Sequence, residues 1–145
     1  MSDVFSAAGS ILAALIASIA LIWSVITYRE TASLSHYGEL DRMYADLLRL
    51  ALECPHLRLS PAPQRSADGQ AQFDAYAYMV WNLIETVYDR IYDDDSKEKK
   101  KLRKTWCMVI REEEIIFGDW FKDNSSKFKD EFKKFIDKKS YLEDC

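Results

Sequence analysis

Residues 4–28 read VFSAAGSILAALIASIALIWSVITY, 25 consecutive positions without a charged side chain. As a helix rising about 1.5 Å per residue the run would be roughly 37 Å long, enough to cross a hydrocarbon core of about 30 Å with some tilt. A helix this long that is apolar all round has no face to give to water. The stretch therefore predicts a single transmembrane helix followed by a helical domain. A cleaved signal peptide fits less well: the leader Met1-Ser2-Asp3 has no Lys or Arg, and the run exceeds the usual core of about 7–15 residues. After the small residues from Ala17 to Ala20 the chain carries on with LIWSVITY. On this reading the anchor occupies residues 1–30 and a cytosolic domain residues 31–145.

Flanking charge sets the expected orientation. No Lys or Arg precedes the helix, while Arg29 and Arg42 follow it, so the C-terminal part is expected in the cytoplasm and the protein in the inner (plasma) membrane. Trp23 and Tyr28 suit the interface at that end. Cys54, Cys107 and Cys145 are odd in number and share no framework spacing, the pattern of free thiols in a reducing compartment.

The anchor's faces differ. Ser6, Ser10, Ala13, Ala17, Ala20, Ser24 and Thr27, taken at steps of four and three, form one stripe of small residues, with Leu12, Leu15, Ile16, Ile19, Ile22, Trp23 and Ile26 on the other side. Small residues let membrane helices approach closely, and hydroxyls can hydrogen-bond across the seam. The stripe predicts a homo-oligomer, with left-handed packing from its period of about 3.5.

After the anchor, periodicity is helical throughout and strand signals are almost absent. Tyr37, Leu40, Tyr44, Leu47, Ala51 and Cys54 give an apolar face to a helix ending at Pro55, with Gly38 as a candidate joint. The three prolines, Pro55, Pro61 and Pro63, fall in the loop that follows. A second helix is expected over residues 71–93, with Phe73, Ala77, Val80, Ile84, Val87 and Ile91 inward. Asp74, Asn82, Glu85 and Asp89 form a polar row on it that needs partners or water if buried. Asp95 and Glu98 read as a capping box for a third helix ending at Gly118. Leu102, Trp106, Val109, Ile110, Ile116 and Phe117 form its apolar side, interrupted by Glu113. A fourth helix follows residues 124–126, with Phe128, Phe132, Phe135 and Ile136 on one face. The fold class is thus all-α: an N-terminal transmembrane helix and an antiparallel bundle of about four helices.

Charge is segregated. Residues 1–95 carry 6 Arg against 13 acids, a net of −7, whereas residues 96–145 hold all 12 lysines and a net of +3. Lysines in the first turn of a helix oppose its dipole, so the run 97–104 invites a reason. A solvated surface is the ordinary one. An anionic lipid surface or an anionic nucleotide ligand are the functional ones, with Arg90, Lys101, Arg103, Lys104 and Arg111 as candidate phosphate contacts. Duplex nucleic acid is not expected, given the acidic total of −4 and no reader motif. His36 and His56 are the only histidines, and there is no His-Glu-x-x-His, Cys-x-x-Cys or Gly-rich phosphate loop. No catalytic residue, metal or cofactor is expected, and Cys54-Pro55-His56 flanks a helix end rather than forming a nucleophile.

Three segments carry a resemblance: AYAYMVWNLIETVYDR (residues 75–90), TWCMVIREEE (105–114) and DWFKDNSSKFKDEFKKFI (119–136). They resemble a group of small bacterial membrane-anchored proteins of unknown function, in which a helical domain follows one hydrophobic segment. In architecture alone the chain is also similar to small CRISPR-associated membrane effectors, which pair a short transmembrane part with a domain that binds cyclic oligoadenylate, and which oligomerise. That likeness implies an antiviral effector whose domain senses a cyclic nucleotide and whose anchors open the membrane. The alternative is a passive tether whose bundle docks a protein partner.

Overall fold

The structure is a computed structural model that describes residues 2–59, 66–92 and 97–145, with side chains placed for 16–28, 37–59, 66–92 and 99–145. It is all-helical among the described residues: α1 (Ser2–Glu53), α2 (Ala67–Ile91), α3 (Lys97–Asn124) and α4 (Asp130–Asp137). Short 3-10 turns at Pro55–Arg58, Ser125–Lys127 and Ser140–Asp144 complete it. The chain divides into two compact units, residues 1–41 and 42–145.

In the first unit, α1 passes through Gly38 without a joint, and a Cβ there would meet nothing within 4 Å. All residues from Ile16 to Tyr28 are exposed, including Leu21 at 67% and Trp23 at 72%. Among the described residues no helix is long and apolar enough to cross a membrane. The side chains of residues 4–15, the first half of the expected anchor, lie outside the described residues, as does the Asp95–Glu98 capping box.

In the second unit, α2 begins one turn earlier than its apolar pattern suggests, because Ser66 caps it: the Gly69 amide donates to Ser66 Oγ at 3.2 Å. The helix then buries Tyr76, Ala77, Val80, Trp81, Leu83, Ile84, Val87 and Ile91. Helix α3 lies antiparallel to it, since contacts that advance along α2 retreat along α3. Asp74 meets Trp120, Trp81 meets Phe117, and Tyr92 meets Arg103.

The expected stop at Gly118 does not occur. Phe117, Trp120 and Phe121 continue the buried face of α3, and Gly118 has no positive φ of the kind a helix-ending glycine adopts. After α3 the chain returns through α4, whose Phe132, Phe135 and Ile136 pack on α2. A final 3-10 turn, absent from the sequence reading, starts at Lys139 (φ 53°) and buries Tyr141.

Because Gly118 sits in an ordinary helix interior and a Cβ there would approach only Glu114 Cγ at 3.4 Å, Gly118→Ala is expected to stabilise the domain by about 0.5–1 kcal/mol. A left-handed cap at this position would instead make the variant less stable, and urea denaturation separates the two.

Candidate functional site

Three features of the second unit could carry function: a buried polar cluster, an apolar groove and the C-terminal closure. The cluster is centred on Glu113, the residue that interrupts the apolar side of α3 and that is fully buried. Arg58, on the 3-10 turn after α1, donates to Glu113 Oε1 at 2.8 Å, and the Tyr44 hydroxyl donates to the same oxygen at 3.2 Å. Glu113 Oε2 has no hydrogen-bond partner among the described residues. Tyr76 donates to the Leu47 carbonyl at 3.2 Å.

One carboxylate thus ties α1, the 3-10 turn and α3 together. Its burial holds the Glu113 carboxyl above the usual carboxylate range despite the Arg58 guanidinium beside it. Burial first, and then the Glu113 charge, push the Tyr44 hydroxyl up as well. The cluster has the donors and acceptors of a structural clamp.

The groove lies between α1 and α2. Met43, Leu47, Leu50, Met79 and Leu83 line it, with Asp46 and Asn82 as its polar members, and it encloses about 290 Å³. Met43 and Met79 are about two-fifths exposed, and Asp46 is 60% exposed. The nearest ion-pair partner of Asp46 is Arg49, at 3.6 Å on the same helix.

The closure corrects the cysteine reading. Cys107 of α3 and the last residue, Cys145, form a disulfide with a Cα–Cα distance of 5.7 Å, and only Cys54 is free. Spacing gave no sign of this, because the pair is brought together by the turn after α4. The closing segment also bonds the Tyr141 hydroxyl to Glu114 and sets Asp144 4.0 Å from Arg103 Nε.

The structure places the expected phosphate contacts in three settings. Arg103 is buried, stacked over the Tyr92 ring at 5.6 Å and near Asp144. Lys101, Lys104 and Arg111 are exposed on the outer face of α3, and Arg90 is half-buried on α2. Of the seam residues, Ala17, Ala20, Ser24 and Thr27 are exposed, with Thr27 donating back to the Trp23 carbonyl at 2.9 Å. Ser6, Ser10 and Ala13 lie outside the described side chains.

Three members of the polar row on α2 find partners, and the fourth, Asn82, is exposed at the groove. Asp74 accepts from Trp120 at 3.0 Å and Gln70 at 2.8 Å, Glu85 accepts from the Lys129 amide at 2.9 Å, and Asp89 pairs with the Lys129 ammonium. Among the described residues no group of three or more His, Cys, Asp or Glu is placed to hold a metal ion. Glu113 could have been singled out from its place on an apolar face; Arg58 carried no such signal. Compared with known proteins, the chain matches no family model, no curated protein and no solved structure.

Two predictions follow from the clamp and the closure. Glu113 binds its proton more tightly folded than unfolded, so its contribution is fully present below its ordinary pKa of 4.5 and is lost as pH rises through the higher folded value. Glu113→Gln removes that titration, so its stability relative to the wild type should rise as pH increases from 4.5, read by urea unfolding across the range. Cys145→Ser opens a loop of sequence separation 38 and should cost about 4 kcal/mol on the chain-entropy account, with the reduced wild type matching the variant.

Proposed function

We propose that the protein is a single-pass, self-associating membrane tether whose helical domain docks an amphipathic helix of a partner protein in the groove between α1 and α2. The observation that carries the docking step is the groove itself. It lies between two helices, is lined by Met43, Leu47, Leu50, Met79 and Leu83, and remains open in the folded domain. Methionine side chains adapt to the shape of an inserted helix, and such grooves suit apolar anchors at helical spacing. Exposed Asp46 at the rim favours a partner helix that carries Lys or Arg beside its apolar residues.

The tether step is supported by the uncharged run from Val4 to Tyr28 and by the exposed large apolar side chains among residues 16–28, for which lipid is the natural cover. The small-residue stripe supports self-association through Ala17, Ala20, Ser24 and Thr27. Flanking Arg29 and Arg42 support a cytoplasmic domain in the inner membrane. The Cys107–Cys145 disulfide is unusual for a reducing compartment and is the observation that speaks against this orientation. The nucleotide-sensing effector is the second reading. It shares the anchor and the seam, but of its five cations Arg103 is buried and Arg90 is half-buried on another helix, which leaves Lys101, Lys104 and Arg111 to hold a ligand.

A photo-crosslinking side chain at Met43 or Met79 is expected to join one partner polypeptide in cells, at a peptide with apolar residues at helical spacing and a nearby cation. Asp46→Lys should lower the yield roughly tenfold if the charge pairing is worth about 1.4 kcal/mol. Crosslinks to the chain itself alone, or none above those from an exposed α4 position, would remove the docking reading. Cells that depolarise on supply of a cyclic oligonucleotide, and not after Ala17→Leu, would establish the effector instead.

A further inference from the structure

The outer face of α3 pairs cations with apolar side chains in a way the tether and the groove leave unused. Lys101, Lys104, Met108, Arg111 and Ile115 recur at steps of three and four and are all exposed. Met108 is 48% exposed and Ile115 74% exposed. The five span about 21 Å of helix. Lys101, Lys104 and Arg111 have no ion-pair partner among the described residues, whereas Lys129, Lys133 and Lys139 pair with Asp89, Asp130 and Glu114. Lys122 extends the stripe and bonds Asp119 at 3.2 Å, and Glu112 lies at its edge. Four cations therefore face two acids, and the cations flank two large apolar side chains.

From this juxtaposition we infer that the outer face of α3 is a docking surface for an anionic lipid bilayer, with Lys101, Lys104 and Arg111 on the headgroups and Met108 and Ile115 inserted among them. Charge complementarity selects the occupant. Unpaired cations on a surface gain from an anionic headgroup layer, and apolar side chains between them gain only if that layer has an oily interior. A small soluble anion would use the cations and leave Met108 and Ile115 in water. The inference rests on the tether reading, because the anchor keeps the domain within reach of the bilayer. Adsorption of α3 would then give the domain a membrane-bound and a free state, with the balance set by the lipid charge and the salt.

The test uses the full chain reconstituted in vesicles with brominated acyl chains, made of phosphatidylcholine alone or with phosphatidylglycerol. An environment-sensitive fluorophore is attached at Ile115→Cys in a Cys54→Ser background, with the Cys107–Cys145 disulfide closed. The label should be quenched on the anionic vesicles, remain bright on the neutral ones and recover in high salt. The adsorption constant should fall roughly fivefold for each cation removed, so Lys104→Gln with Arg111→Gln should cost about 25-fold. Equal quenching on both vesicle types, or no response to the double substitution, overturns the inference. Thermal melts of the variants should match the wild type, since the altered side chains are exposed. Resistance to alkaline carbonate reports the anchor separately. A chain retained by carbonate but unquenched at Ile115 overturns the α3 surface and leaves the tether standing. A chain released by carbonate overturns the tether, and salt-sensitive quenching of that chain would still support the surface.

Discussion

The second unit depends on the burial of Trp81 between α2 and the elements that follow it. Its ring centroid lies 4.2 Å from that of Phe121, and its indole donates to the Phe117 carbonyl at 3.1 Å. A buried indole needs an acceptor, and here it takes the second lone pair of a helical carbonyl, which does not interrupt the helix. Phe121 in turn meets Phe128 and Phe132, so one aromatic side chain on α2 organises the end of α3, the turn after it and α4. This packing explains why α3 runs through Gly118: stopping there would leave Trp120 and Phe121 without their places in the core.

Around this centre, the polar groups on packed faces are used as ties. Glu113 gathers Tyr44 and Arg58, Glu114 holds the Tyr141 hydroxyl, and Lys129 joins α4 to Glu85 and Asp89 of α2. Each tie crosses between elements that are distant in sequence. A buried carboxylate with one oxygen unsatisfied is costly, and the folded chain lessens that cost by holding the proton more tightly. The C-terminal segment is tied most firmly, through the disulfide, Tyr141 and Asp144, although its sequence has no strong helical pattern of its own.

The surface separates into regions of different chemistry. The groove between α1 and α2 is apolar with a single exposed acid, and the outer face of α3 alternates cations with Met108 and Ile115. Residues 16–28 of α1 expose Ile16, Ile19, Leu21, Ile22, Trp23 and Ile26 beside the small-residue stripe. Three unlike surfaces are thus carried by one chain of 145 residues.

By itself the sequence determined the helical class, the uncharged run from Val4 to Tyr28 and the inward faces of α2, α3 and α4, because apolar periodicity is a local property that each element displays alone. It also marked Glu113 as an anomaly on an apolar face. Only the tertiary structure decided that Arg58 answers Glu113, that Cys107 meets Cys145, that Asp74 and Glu85 find donors on later elements, and that Arg103 is buried while Lys101, Lys104 and Arg111 share the outer face of α3. These are pairings across turns, and turn geometry, which sets which distant residues meet, leaves no periodic trace in the chain. The extent of α3 belongs to the same class. A glycine at 118 reads locally as a stop, yet the aromatic side chains at 117, 120 and 121 repay the helix for continuing.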